Sequence, residues 1–121
     1  MTLLAGGGCR PASENASPHA EVVWEKVRAW SGSGSRMLES FPSDTGMLRI
    51  TWKADAIASE AAGNFRVIVH SAISGRPIVV AVDKNGPGSG TAFVGDEPRM
   101  YFLSIESQGL DWSLTVEERM N

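Results

Sequence analysis

The chain has 121 residues, 42% hydrophobic and 21% charged, with 14 acidic residues against 11 basic ones and a formal net charge of −3. That mixture belongs to one globular domain whose core four Trp, four Phe and one Tyr can anchor, and it argues against disorder beyond the ends. There is no run of Lys/Arg to match a phosphate backbone, so nucleic acid is not an expected partner, and no apolar run approaches the roughly 20 residues of a membrane-spanning helix; a single cysteine leaves no internal disulfide, cysteine-based zinc site or two-cysteine redox motif.

That cysteine, Cys9, ends the stretch LLAGGGC. A catalytic thiol wants a histidine base in an ordered setting, whereas Cys9 lies between three glycines and the polar, Pro-containing run RPASENASPHA. The segment resembles instead the lipobox of bacterial lipoprotein signal peptides, in which the cysteine is lipid-modified and becomes the mature N-terminus. Ala5, Gly6, Gly7 and Gly8 supply the small residues, with Gly6 where a Leu is usual. Too few residues precede Cys9 for a basic region and an apolar stretch of roughly 7 to 15 residues, so the resemblance implies a start upstream of Met1. Residues 1–20 are expected to be a signal remnant and flexible tether, and residues 21–119 the folded domain.

Past residue 20 the hydrophobic period is mostly two, the mark of strands with one buried face. EVVWEKVRAW places Trp24, Val27 and Trp30 at spacing three, which fits a short helix, but its Val and Trp content favours a strand. SGSGS is expected to break it, and RMLESF follows as a strand ended by Pro42. In GMLRITW, Leu48, Ile50 and Trp52 share one face; KADAIASEAAG has the composition for a helical turn. NFRVIVHSA sets Phe65, Val67 and Val69 against Arg66, Ile68 and His70, and the more continuously apolar RPIVVAVD is expected deep in a sheet, with Pro77 near its start. GPGSG reads as a hairpin loop, SGTAFV as a short strand and GDEP as a turn. RMYFLSIES, with Tyr101, Leu103 and Ile105 on one face, and DWSLTVEE, with Trp112, Leu114 and Val116 inward, read as a terminal hairpin. About eight short strands at this rhythm predict an all-β, antiparallel β-sandwich of jelly-roll type.

The succession WSGSGSRMLESF, LRITW, GNFRVIVHSA, YFLSIES and DWSLTVEE resembles a class of small bacterial extracytoplasmic β-sandwich domains, common in lipoproteins and largely without assigned function. The matching positions are Gly32, Gly34, Glu39, Phe41, Arg49, Ile50, Trp52, Phe65, Tyr101, Ile105, Trp112, Val116 and Glu117, within about residues 30 to 118. A looser similarity is to pre-peptidase C-terminal domains, jelly-roll modules of secreted enzymes. The resemblance implies an exported protein, in agreement with the lipobox-like segment.

Convergent acid-base groups are scarce. His19 falls in the tether, His70 on the outward face of its strand, and no serine sits in a Gly-x-Ser-x-Gly elbow. Asp83, Asn85, Asp96 and Glu97 lie on two loops that could meet around a calcium ion, the only cofactor candidate, although such residues are also plain turn formers. Trp24 and Trp30 are the aromatics without a clear inward row, and as an exposed coplanar pair they would suit a sugar. The expectation is a non-catalytic binding or assembly module, lipid-anchored through Cys9 outside the cytoplasm of a bacterial cell. Its expected partner is an envelope protein or a glycan, its membrane contact is through the lipid alone, and an open sheet edge offers a route to self-association. A carbohydrate-binding module and a calcium-braced accessory domain of a secreted enzyme are the alternatives.

Overall fold

The computed structural model describes residues 22–57 and 63–120. Nine strands run through them: β1 (Trp24–Ser33), β2 (Arg36–Met37), β3 (Phe41–Ser43), β4 (Met47–Ala56), β5 (Asn64–Ser71), β6 (Pro77–Asn85), β7 (Gly88–Gly95), β8 (Arg99–Gln108) and β9 (Leu110–Arg119). One sheet has the order β1-β9-β4-β7; the other has β2-β8-β5-β6, with β3 pairing β8 beside β2. All ladders are antiparallel, and the two sheets pack face to face without closing into a barrel. The predicted β-sandwich is therefore the observed fold.

Its winding follows from one long ribbon. β1 pairs β9, β2 and β3 pair β8, β4 pairs β7, and β5 pairs β6. Successive pairs alternate between the sheets, and the ladders β9·β4 and β8·β5 stitch them together. That is jelly-roll order, with the tip of the ribbon at the turn between Ser71 and Pro77.

Strict alternation supplies the core. Leu48, Ile50, Trp52 and Ala54 of β4 and Leu110, Trp112, Leu114 and Val116 of β9 face Phe65, Val67 and Val69 of β5 and Tyr101, Leu103 and Ile105 of β8, all buried. Phe65 bridges the sheets between Trp52 (5.4 Å between ring centroids) and Trp112 (6.3 Å). Phe41 joins Tyr101 and Trp30 at 6.1 and 6.0 Å, which carries the ring packing to the edge. Each such side chain contributes roughly 1.5–3 kcal/mol by burial alone.

Several expectations are corrected. The last two strands form no hairpin: β8 and β9 lie in different sheets, and Gly109 (φ 73°) carries the chain across. RPIVVAVD is an edge strand, not a deep one; Val79 and Val80 are 40% and 42% exposed, because two register shifts against β5 hand successive apolar residues to opposite faces. RMLESF splits into β2 and β3, and β3 runs through Pro42 to Ser43 at a sheet edge, where the missing N–H is tolerated. The spacing of three in β1 comes from a bulge: the register against β9 shifts between Val116 and Glu117, so Val27 is extra. SGSGS and GPGSG, expected as breaks, are partly strand: Ser31–Ser33 belong to β1 and Gly88–Gly90 to β7. Lys53–Ala56 extend β4, and the remainder of the alanine-rich segment, residues 58–62, lies outside the described residues.

Candidate functional site

The bulge in β1 decides where its two tryptophans go. Trp30 is opposite Leu114 and packs on the core beside Phe41. Trp24, beyond the extra residue, is opposite Arg119 and shares the outer face of the four-stranded sheet with Glu117 and Arg49. The two indoles therefore form no common platform. Trp30 instead donates from Nε1 to Glu39 Oε1 at 2.6 Å, and this bond is the main cause holding the Glu39 carboxyl below its ordinary range.

Trp24 finds a different aromatic neighbour. Phe93 of β7 pairs with Arg49 in register and is 69% exposed, and its ring centroid is 5.9 Å from that of Trp24 at an interplanar angle of 55°. The Arg49 guanidinium lies over the Trp24 ring, 4.5 Å from its centroid, and Arg49 Nε donates to Glu117 Oε1 at 2.8 Å. Salt bridge and cation–π contact together fix the guanidinium plane against the indole. The next row, toward the middle of the strands, is hydroxylic: Thr115, Thr51 and Thr91 are direct neighbours across three strands. A half-buried indole with an exposed phenyl ring tilted against it, a fixed guanidinium, a carboxylate and a row of hydroxyls can offer stacking and hydrogen bonding to one ligand. Sequence reading passed over Phe93, yet the signal is there, since Ala92 and Val94 turn inward on either side of it.

The four calcium candidates are not brought together. Asn85 sits opposite Asn64, which is opposite Gln108 at the far end of β8, whereas Asp96 and Glu97 precede Arg99 at its near end. Ten residues of extended chain, about 30 Å, separate them. Asp83 pairs instead with Arg66 (4.0 Å), and Asp96 and Glu97 pair with Arg99 (3.7 and 2.5 Å). Among the described residues no group of three or more His, Cys, Asp or Glu has the geometry to hold a metal ion.

His70 faces outward as expected. Its ring stacks on Phe102 at 4.4 Å and 4°. A carbonyl can only accept, so Nδ1–H donates to Gly75 O (3.2 Å), and in the neutral ring this leaves Nε2 to accept from the Ser104 hydroxyl at 2.8 Å. The contacts of His70 thus orient a serine hydroxyl on the outer face of the five-stranded sheet and include no carboxylate.

A buried carboxylate missed in the sequence is Glu118, 6% exposed, whose inward position continues the alternation of Leu114 and Val116. Its Oε1 accepts from Ser43 Oγ (2.9 Å), Asp44 N (2.8 Å) and Thr45 N (3.2 Å), while Ser43 Oγ accepts from Gly46 N (2.9 Å). The anion ties the turn between β3 and β4 to the last strand, a structural use of charge. Cys9 and His19 lie outside the described residues, and among those described no helix is long and apolar enough to cross a membrane. Comparison with protein-family models, with curated proteins and with solved structures finds no match.

Proposed function

We propose that this domain is a non-catalytic binding module of the bacterial cell envelope, exported and lipid-anchored through Cys9, whose ligand is a glycan held on the outer face of the four-stranded sheet. The observation that carries the reading is the Trp24–Arg49–Phe93 cluster. Pyranose rings present apolar faces to aromatic rings and a rim of hydroxyls to charged and hydroxylic side chains, and this face supplies both. The carbohydrate class is preferred to an envelope protein because the aromatic pair is small and bordered by threonines.

Affinity electrophoresis through gels containing cell-wall and capsular polysaccharides tests it. Retardation by at least one glycan is expected, with Trp24→Ala and Phe93→Ala each weakening it by about tenfold or more, the scale of one lost aromatic anchor. Trp30→Phe, on the other side of the sheet, is the control and should bind as the parent does. Retardation unaffected by either outer-face substitution would overturn the site. Mass spectrometry of membrane fractions for a diacylated Cys9 peptide tests the anchor separately.

A further inference from the structure

The end of the sandwich at the tip of the ribbon holds a second site, a pocket of about 370 Å³ between the β5–β6 turn and the start of β8. Such a volume lies within the usual range for small-molecule sites. Ser71, opposite Tyr101 and the last inward residue of β5, forms its inner wall; it is 5% exposed, and its hydroxyl has no hydrogen-bond partner among the described residues. Arg99 contributes a buried unsatisfied donor, since its Nε makes no hydrogen bond and only approaches Asp96 Oδ2 at 3.7 Å. Arg76 brings an exposed guanidinium with no ion-pair partner among the described residues, held at the mouth by a turn in which Arg76 N donates to Ser74 Oγ at 3.3 Å. Pro77 and Ile78 give an apolar side, and Asp96 an acceptor.

The buried Arg99 Nε, left without a hydrogen-bond acceptor, carries a desolvation cost that a ligand can relieve, and the Ser71 hydroxyl is free to bond to one. The free guanidinium of Arg76 wants a carboxylate, which it can grip with two parallel N–H donors. Ser71, Arg99 and Asp96 want hydroxyls that both accept and donate, and the Pro77–Ile78 side wants a carbon face. We infer that this pocket binds a small hydroxylated carboxylate of the uronic-acid class, its carboxylate on Arg76 and its hydroxyls on Ser71, Arg99 and Asp96. No residue of the pocket belongs to the Trp24–Phe93 cluster, so the inference is independent of the glycan site.

The experiment is calorimetric titration of the full chain with glucuronate, glucose and acetate, supported by amide chemical-shift mapping. Glucuronate is expected to bind at least about tenfold more tightly than glucose, which lacks the carboxylate, and than acetate, which lacks the hydroxyls. Shifts should centre on residues 71–78 and 96–99. Arg76→Ala, on an exposed turn where it unsettles no partner, should weaken glucuronate by about tenfold or more, Arg76→Lys by less, and Ser71→Ala by a few-fold. Trp24→Ala should leave it unchanged. Equal binding of acetate and glucuronate, binding indifferent to Arg76→Ala, or no glucuronate binding by a folded chain would each overturn the assignment. A uronate-terminated oligosaccharide distinguishes the source: tighter binding than the monosaccharide places the acid at a polymer end, and equal binding places it free, either result supporting the class.

Discussion

Tyr101 shows how one side chain couples the core to the turn that walls the pocket. Its ring is fully buried against Phe41, and its hydroxyl donates to the backbone carbonyl of Glu97. Burial first, and the Asp96 charge second, push the hydroxyl up from 10.0 to about 12. In the unfolded chain the same group ionises near 10, so across that interval the unfolded state binds fewer protons than the native one and stability falls as pH rises. The contribution is complete below pH 10 and is lost through the folded value, a total of roughly 2–3 kcal/mol. Tyr101→Phe should cost about 1 kcal/mol at neutral pH through the lost hydrogen bond, and should remove this part of the alkaline decline. Urea denaturation at neutral pH and at about pH 11.5 reads both effects. Because this is the only tyrosine, the tyrosinate ultraviolet band reports its ionisation directly, and a band that appears near the ordinary value in the folded protein would refute the coupling.

At the scale of elements, the glycine-serine stretches are where composition misled. Gly32 of β1 lies opposite Trp112, and Gly90 of β7 opposite Trp52, one pair at each edge of the four-stranded sheet. A Cβ on Gly90 would stand 3.2 Å from Trp52 Cζ2, and one on Gly32 3.2 Å from Trp112 Cζ2. These glycines leave room for an indole, so the edge strands remain paired where a loop was expected. Gly90→Val should therefore force Trp52 off Phe65 and lower stability by about 1–3 kcal/mol, the usual cost of overpacking a core, with a shift in tryptophan emission; unchanged emission and unchanged denaturation would show that the ring has space to spare. Strand identity was legible elsewhere because alternation is a local signal: Leu48, Ile50 and Trp52, or Trp112, Leu114 and Val116, announce a buried face within one strand. The bulge at Val27 was not legible, since its cause is the register against β9 rather than anything in β1 itself. The same bulge separates Trp24 from Trp30, and so the candidate pair read from the sequence was broken and its true partner, Phe93, overlooked.

For the whole molecule, the missing information was long range. Trp24 pairs Arg119, and Phe41 pairs Tyr101, contacts that no window of sequence contains. The β-sandwich followed from the number and rhythm of the strands, but assigning β8 and β9 to different sheets required knowing that each already had two neighbours. β9 has β1 on one side and β4 on the other, and its inward residues Leu110, Trp112, Leu114 and Val116 are at most 2% exposed. Removing residues 110–121 should consequently unpair two strands at once and open the face on which Phe65 packs, a loss far beyond the usual stability of roughly 5–15 kcal/mol for a domain. The shortened chain should lack near-ultraviolet circular dichroism and dispersed amide signals. A synthetic peptide of residues 110–121 added in trans should restore both, because it returns two ladders and one wall of the core together. Cooperative unfolding of the shortened chain on its own would mean that the five-stranded sheet holds itself together without the last strand, contrary to a ribbon in which the first and last strands close the fold.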